Sequence, residues 1–472
     1  MKIKLVIFFL IGTINWGFTQ NNPIFGVPFS FDVNKEENPQ IVLQDNYNHY
    51  LVTVTQKGIL DIIIRKFDQQ NQLVDTFKHN YSINPNTLHN VKGIHQVDAN
   101  RVVIFIESYS GKTKQAEVFQ YLFDKTTGKF TSEILGTYTF QSVLKSGSLY
   151  VSKSENGKYL GIVYQNYNAK DQPEISECKI LNAQTLETVF KKTIKYQDEF
   201  YTSERIMSDN GALILLRSPR SWKGTNYISI VTAEGETTKN VEENTKLFRP
   251  IAVSINNQDY LIAFNHKTKG IRRGDFGNIM FYDINQGVTL KNNPIEGFNS
   301  IKDINEVNFR YAFTQNNEFH IFVEAVYPQG TKPSASFPNN PNFNQPILVF
   351  GGARLLVFDF TGNLKHNIVI NTNNDTEQGF YNSYGVSVIN GNYYVNTGLY
   401  YKNGNYNYGL YKIDPSNNFN VTNIFFRYNS NSDYSFKSVN QLMHYNPETK
   451  FLLLSRTHNN GENMSFIKTL LQ

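Results

Sequence analysis

The sequence has one cysteine, two tryptophans, five methionines and no long apolar run after its first residues. Because Cys178 has no second cysteine to pair with, the fold must be held by its apolar core and not by disulfides. Charge is nearly balanced, with 45 Lys and Arg against 40 Asp and Glu, a net charge of +5. This balance does not suggest a nucleic-acid-binding protein. No segment beyond the first residues is apolar enough to cross a bilayer, so we predict no nucleic-acid partner and no integral membrane segment.

The first 19 residues have the layout of a secretory signal peptide. Lys2 and Lys4 precede an apolar core from Leu5 to Ile14 that is short for a membrane helix. Gly17 and Thr19 stand before a predicted cut in front of Gln20. We therefore expect residues 1–19 to be removed and the mature protein to be secreted, periplasmic or held at the cell surface. An uncleaved anchor is the alternative.

Tyrosine, phenylalanine, asparagine and isoleucine are abundant instead, with 29 Tyr and 36 Phe. The stretch from Arg101 to Ile134 shows how they are arranged: three short β-branched and aromatic runs are separated by a polar loop and an Asp-to-Gly turn. This pattern is typical of antiparallel strands. It recurs along nearly the whole chain.

Two series of turns define the repeat. The first series precedes an apolar run: Tyr47-Asn48, Asp98-Ala99-Asn100, Glu155-Asn156-Gly157, Asp209-Asn210-Gly211, Asn256-Asn257, Asn316-Asn317, Asn390-Gly391 and Asn446-Pro447. The second series ends a third strand: Phe67-Asp68, Phe123-Asp124, Leu181-Asn182, Ala233-Glu234-Gly235, Tyr282-Asp283, Phe358-Asp359 and Ile413-Asp414. Asp and Asn open tight turns by bonding their own backbone, so we assign these residues to turns and not to calcium ligands.

The spacing of the turns predicts a β-propeller of eight four-stranded blades. Asp68 and Asp124 are 56 residues apart, somewhat more than the roughly 40–50 residues of an ordinary blade. The predicted blades cover residues 41–79, 89–137, 146–195, 200–241, 246–296, 305–372, 384–428 and 437–472, all within one domain of residues 20–472. The last blade ends one strand short, and the unused run from Ile24 to Val33 is expected to complete it and close the ring. Seven blades or two β-sandwiches are the alternatives.

Several motifs resemble those of known propellers. The turn Asp124-Lys125-Thr126-Thr127-Gly128-Lys129 resembles the D-x-x-T-G-K turn of quinoprotein-type eight-bladed propellers, and Ser154-Glu155-Asn156-Gly157-Lys158 is similar to a TolB-type turn. Quinoprotein repeats end in a Trp that packs between blades, whereas Trp222 is the only Trp after the leader, so no cofactor is predicted. Leader and composition are similar to those of uncharacterised secreted propellers from Bacteroidetes-type bacteria. The resemblance implies fold and location, and no catalytic residue.

Long connections between the second and third strands are predicted on one face of the ring, in blades four to six above all. Loops on a rigid scaffold often carry binding residues. The candidate ligand-binding residues there are Arg217, Arg220, Trp222, Lys223, His266, Arg272, Arg273, Asp275, Tyr327 and Phe337. Guanidinium groups bind carboxylate, sulfate or phosphate, and an indole offers a flat apolar face to a sugar or an aromatic group.

No catalytic motif occurs: the sequence lacks G-x-S-x-G, H-E-x-x-H and C-x-x-C. Asp275 has no carboxylate partner that spacing identifies, and the nine histidines are scattered, so no metal site is predicted. The sequence therefore predicts a non-catalytic binding scaffold for a protein or a glycan, anionic glycans included. The alternatives are a polysaccharide lyase or glycoside hydrolase with its site at the channel mouth, and a structural envelope or adhesion subunit.

Overall fold

The computed structural model describes residues 24–32, 35–45, 47–55, 60–81, 87–140, 142, 147–167, 172–197, 199–220, 226–241, 245–267, 278–294, 306–333, 344–370, 384–402, 405–427, 437–458 and 462–471. These residues form eight antiparallel sheets, and each sheet is one blade. The only helix in these ranges is a 3-10 turn at Pro415–Asn417. None of the described helical segments could span a membrane.

Each of the first four blades contains four strands that are consecutive in the chain. Blade one has β3 (Glu36–Gln44), β4 (His49–Thr55), β5 (Asp61–Phe67) and β6 (Leu73–Asn80). Blade two has β7 (Thr87–Gln96), β8 (Arg101–Ser110), β9 (Gln115–Asp124) and β10 (Lys129–Thr139). Blade three has β11 (Ser148–Lys153), β12 (Tyr159–Gln165), β13 (Glu174–Asn182) and β14 (Thr188–Tyr196). Blade four has β15 (Phe200–Met207), β16 (Leu213–Pro219), β17 (Tyr227–Val231) and β18 (Glu236–Asn240).

The remaining blades repeat this order, except that the last one takes its outer strand from the start of the chain. Blade five has β19 (Thr245–Ile255), β20 (Gln258–Lys267), β21 (Asn278–Asp283) and β22 (Val288–Pro294). Blade six has β23 (Glu306–Gln315), β24 (Glu318–Pro333), β25 (Asn344–Asp359) and β26 (Leu364–Ile370). Blade seven has β27 (Gly385–Ile389), β28 (Asn392–Lys402), β29 (Asn405–Asp414) and β30 (Asn420–Arg427). Blade eight has β31 (Lys437–Asn446), β32 (Phe451–His458), β33 (Asn463–Leu470), β1 (Ile24–Phe25) and β2 (Phe29–Ser30).

The first strands of neighbouring blades lie side by side around the ring. Contacts join β3 to β7, β7 to β11, β11 to β15, β15 to β19 and β19 to β23. Strand β27 contacts β31, and β31 contacts β3, which returns the series to its start. The fold is therefore a β-propeller of eight blades, as predicted, and not one of seven blades or a pair of sandwiches.

The N-terminal strands close the ring, as predicted from the unused run at Ile24–Val33. Both β1 and β2 pair antiparallel with β33, with Ile24 opposite Lys468 and Phe29 opposite Met464. Beyond β2, the Phe31 amide donates to the carbonyl of Glu462 at 3.0 Å. The outer edge of the last blade is thereby covered by a strand.

The core lies between the blades, on the second and third strands of each sheet. Every residue of β16 is buried, whereas most residues of the fourth strand β6 are exposed. One cluster joins blades five and six through Ile262, Phe281, Phe319 and Ile321. Sheets packed on both faces require such continuous apolar runs.

Both turn series form as predicted. Asn256 and Asn257 have φ of 52° and 63°, and Asn316 and Asn317 have φ of 53° and 60°. Two successive residues with positive φ give the hairpin turn whose twist matches that of the strands. In the second series the Asp carboxylates hold their own turns: Asp359 accepts from the backbone amides of Thr361 at 3.0 Å and Asn363 at 2.9 Å.

Because strand direction alternates, both turn series lie on one face of the ring, which we call the short-turn face. The connections between second and third strands lie on the other, the long-loop face. One predicted long loop is mostly strand. The segment from Ala325 to Pro346 continues β24 to Pro333 and begins β25 at Asn344.

Candidate functional site

Among the described residues, the most prominent feature of the long-loop face is a hairpin that extends beyond blade six. Strands β24 and β25 remain paired as far as Pro333 and Asn344. Within the described residues the two flanking strands end earlier, since β23 pairs with β24 only to Val326 and β26 pairs with β25 only to Ala353. Residues 327–333 and 344–352, which we call the blade-six hairpin, therefore continue past the four-stranded sheet. At about 3.3 Å per residue this extension is roughly 20 Å long.

The predicted site residues are distributed unevenly over the described structure. Tyr327 lies in the blade-six hairpin, with its Cα opposite Val349. His266 lies near the end of β20, with its Cα opposite Lys246. The predictions for the other residues fall outside the described ranges: Trp222, Lys223, Arg272, Arg273, Asp275 and Phe337.

Arg220 follows β16 at the start of the blade-four loop, and its side chain is exposed. Its backbone amide donates to the carbonyl of Glu199 at 3.0 Å, which ties the beginning of this loop to the segment before the first strand of the same blade. The structure therefore places Arg220 at the surface and fixes its backbone.

Arg217 differs from Arg220, because its side chain is completely buried. Its guanidinium forms a salt bridge with Glu174 of blade three. It also donates to Thr202 Oγ1 at 2.6 Å and to the Tyr227 hydroxyl at 3.2 Å, and it lies 3.8 Å from the ring centroid of Tyr196. This guanidinium is used inside the protein, at the base of the loop where sequence analysis expected it to meet a ligand.

Glu174 is the partner that makes the burial of Arg217 possible. Its carboxylate accepts from Arg217, from the Thr202 hydroxyl and from the Thr202 backbone amide at 3.0 Å. An ionised carboxylate with several donors is stable in a dry environment because each lone pair is satisfied. The cluster joins the third strand of blade three to the first and second strands of blade four.

A second polar chain continues from this cluster toward the outside of the ring. The Tyr196 hydroxyl donates to Glu236 Oε1 at 2.7 Å and lies 2.8 Å from Ser229 Oγ. Burial raises the pKa of Tyr196, so its hydroxyl keeps its proton at neutral pH. These contacts fix the tyrosine ring that packs on the Arg217 guanidinium.

Arg205 lies on the first strand of blade four, nearer the axis of the ring. It donates to Gln165 Oε1 and, at 2.7 Å, to the carbonyl of Thr202, and its guanidinium lies 3.7 Å from the Tyr150 ring centroid. Burial lowers the pKa of Arg205. Its guanidinium lies beneath the long-loop face, between blades three and four.

Most of the buried polar residues beneath this face were not predicted from the sequence. In each blade a polar residue follows the apolar part of the second strand, and all of them are buried: Thr53, Glu107, Gln165, Arg217, Asn265, Glu324, Asn396 and Arg456. Buried polar groups need partners, and Glu107, for example, is 2.9 Å from Lys92 and accepts from the Leu149 backbone amide at 2.8 Å. The signal in the sequence is one polar residue near the loop-side end of each second strand.

Within the described ranges, no group of three His, Cys, Asp or Glu residues is placed to hold a metal ion. Cys178 is buried, and burial raises the pKa of its thiol to about 12. A thiol with that pKa is protonated and unreactive at neutral pH.

Comparison with known proteins gives no family for this chain: no family model matches it, and no curated protein matches it. Known structures match it weakly. The β-propeller domain of the Trilobed protease from Pyrococcus furiosus has 10% identity and a TM-score of 0.37, over 81% of this chain and 96% of that one. The WD40 domain of SCAP from fission yeast has 9% identity and a TM-score of 0.41, over 95% and 97%. The polysaccharide lyase Uly1 has 10% identity and a TM-score of 0.39, over 84% and 93%. These values are too low to transfer an activity or a ligand.

Proposed function

We propose that this protein is a secreted, non-catalytic binding scaffold that holds a protein or a glycan on the long-loop face of blades four to six. The observation that carries the proposal is the blade-six hairpin, because a ribbon extending about 20 Å past its sheet adds surface that the propeller does not need for its own core. Tyr327 belongs to this ribbon. Phe337 belongs to the segment that joins its two strands.

The base of the blade-four loop, on the same face, is rigid. Arg217 and Glu174 fix the strand from which this loop starts, and the Arg220 amide is bonded to Glu199. Rigid support reduces the ordering that a loop must undergo on binding, and so favours affinity. The loops of blades four and five also carry basic groups, which favours anionic ligands: Arg220 and Lys223 in blade four, and Arg272 and Arg273 in blade five.

The test is to remove the hairpin and leave the blade intact. Val326 and Phe350 are register partners, so residues 327–349 can be replaced by Asn-Gly, the sequence preferred in two-residue hairpin turns. The mature protein and this variant would be titrated with alginate, chondroitin sulfate, dextran and xylan at low and high salt. Trp222 fluorescence and affinity electrophoresis would be the two readouts.

Saturable binding by the mature protein that the shortened variant loses supports the proposal. Weakening by salt identifies the ligand as anionic, and the same loss in Arg220→Ala or Arg272→Ala places it on the basic loops. If no polysaccharide binds, the proposal that the ligand is a glycan is rejected. The proposal that it is a protein is then tested by cross-linking to secreted proteins, with the shortened variant as control. Unsaturated or reducing products after prolonged incubation would instead support the polysaccharide-active enzyme.

A further inference from the structure

A cleft of about 350 Å³ lies on the opposite, short-turn face, between blades five and six. Its wall is formed by turns of both blades: Asn256 and Gln258 from the first turn of blade five, Gln286 from the closing turn of that blade, and Asn317 and Phe360 from the two turns of blade six. Ligand sites in proteins commonly have volumes of about 300–1,000 Å³. The cleft is large enough for one or two sugar rings.

Phe360 is the unusual residue of this cleft. Its side chain is 54% exposed, although the turn that carries it is firmly held by Asp359. The corresponding position of blade five is Ile284, which is only 3% exposed. The Phe360 ring is not buried by its own turn, so it offers a flat apolar face to solvent.

The polar lining consists mainly of uncharged amides. Asn256, Gln258, Gln286 and Asn317 each carry both a donor and an acceptor. Of the described lining residues only Asp283 is charged. It is 1% exposed, and its carboxylate already accepts from Gln258 and from the Gln286 backbone amide at 2.8 Å. Among the described residues, no lysine or arginine lines this cleft.

We propose that this cleft binds a neutral sugar residue, with the C–H face of the ring against Phe360 and its hydroxyls on the amides. Hydroxyls donate and accept like the primary amides that line the cleft, and the absence of a cation in its lining disfavours phosphate, sulfate or uronate. The turns are already fixed by their own hydrogen bonds, so binding requires little reordering. This site is independent of the blade-six hairpin, which leaves the other face of the ring.

The experiment uses the mature protein and two pairs of variants. Phe360→Ala removes the ring, and Tyr47→Ala is its control, because Tyr47 is a 66% exposed aromatic residue in a first turn outside the cleft. Asn317→Gly removes a lining amide, and Asn316→Gly is its control in the same turn. Both asparagines have positive φ, so glycine keeps the backbone of either position free of strain.

The probes are the methyl glycosides of glucose, galactose, mannose, xylose and N-acetylglucosamine, together with a trisaccharide of each. Binding would be followed by saturation-transfer NMR and calorimetry. We expect at least one sugar to bind, with Kd raised tenfold or more in Phe360→Ala and at least threefold in Asn317→Gly. Both controls and the shortened-hairpin variant should bind as the mature protein does.

A trisaccharide that binds more tightly than its methyl glycoside would identify the end of an oligosaccharide as the ligand, and equal affinities would identify a single sugar. The proposal is overturned if none of these sugars binds at the highest concentration at which it dissolves. It is also overturned if Phe360→Ala binds the sugar as tightly as Tyr47→Ala does. Loss of binding in the shortened-hairpin variant would also overturn it, because the ligand would then lie on the other face. Melting temperatures of all variants confirm that each is folded.

Discussion

The salt bridge between Arg217 and Glu174 is inaccessible to water, so each charge depends on the other. Removing one partner from such a pair leaves a buried charge without compensation. Removing both leaves a neutral interface, which often costs little. The cluster therefore serves to fix the geometry of blades three and four.

We predict that Arg217→Met lowers the free energy of unfolding by about 3–5 kcal/mol, because Glu174 would remain buried without its partner. The double variant Arg217→Met, Glu174→Leu should lose less than the single variant does. Urea unfolding of the mature protein and both variants measures this. Equal losses in the single and double variants would contradict it.

The matched control is an ion pair at the surface. Lys365 lies 2.8 Å from Glu318 and its side chain is 45% exposed. Lys365→Met should change the free energy of unfolding by no more than about 1 kcal/mol, since water and salt screen exposed pairs.

Single residues are also where the sequence was hardest to interpret. Arg217 was predicted to contact a ligand because it begins a loop, but Glu174, which buries it, comes from another blade and is not visible from local spacing. Phe360 was not singled out, because one aromatic residue in a turn is ordinary until its exposure is known. The burial of Arg217 and the exposure of Phe360 both depend on how neighbouring blades pack.

At the scale of elements, the N-terminal segment contributes apolar burial to the last blade. Phe29 and Phe31 are 6% and 0% exposed and pack in one cluster with Leu51, Phe67 and Phe466. The segment therefore joins blade eight to blade one as well as completing its sheet.

We expect Phe31→Ala to lower the free energy of unfolding by about 3–5 kcal/mol, the usual loss for a phenylalanine removed from a core. Val27→Ala is the control, because Val27 lies in the same segment and is 59% exposed. This change should alter the free energy of unfolding by about 0.5 kcal/mol or less. Thermal and urea unfolding compare the two. Similar losses would mean that the segment is not a structural part of the ring.

Strand and turn assignments were accurate where one period repeated eight times, because each blade confirmed the pattern of the others. The segment from Ala325 to Pro346 was predicted as a long, proline-rich loop between the second and third strands of blade six. The structure places Pro328, Pro333 and Pro346 in paired strands. Proline is tolerated on strands whose outer edge has no ladder to complete, and beyond Val326 and Ala353 these strands pair only with each other among the described residues.

At the scale of the whole molecule, buried histidines of blades one, two and eight contribute to the response to acid. Burial lowers the pKa of His49 to about 3, and it lowers those of His95 and His444 to about 4. These histidines are neutral in the folded protein at neutral pH. The unfolded chain takes up protons near the ordinary pKa of about 6.5.

The contribution of these histidines to the free energy of unfolding should therefore be fully present above pH 6.5. It should decrease as the pH falls toward 4, because the unfolded state binds more protons than the folded state in that range. For His49, which is 5% exposed, the loss is about 1.4 kcal/mol per pH unit. Glu155 acts in the opposite sense, because burial and Asp209 raise its pKa to about 7, but its side chain reaches solvent and its effect is smaller.

His49→Phe tests this prediction, because His49 stacks on Phe67 with ring centroids 5.1 Å apart and an aromatic ring can replace it. Urea midpoints of variant and mature protein at pH 7 and pH 4.5 are compared. The variant should lose less stability between the two values. An unchanged loss would show that His49 does not contribute to acid sensitivity.

Closing the ring with the first strands has a consequence for the order in which the molecule can be made. Ile24 pairs with Lys468, which the ribosome adds 444 residues later (468 − 24). At about 5–20 residues per second, roughly 20–90 s pass before that partner exists. The segment after the predicted leader stays without its sheet for all of that time. The ring can therefore close only after β33 has been synthesised.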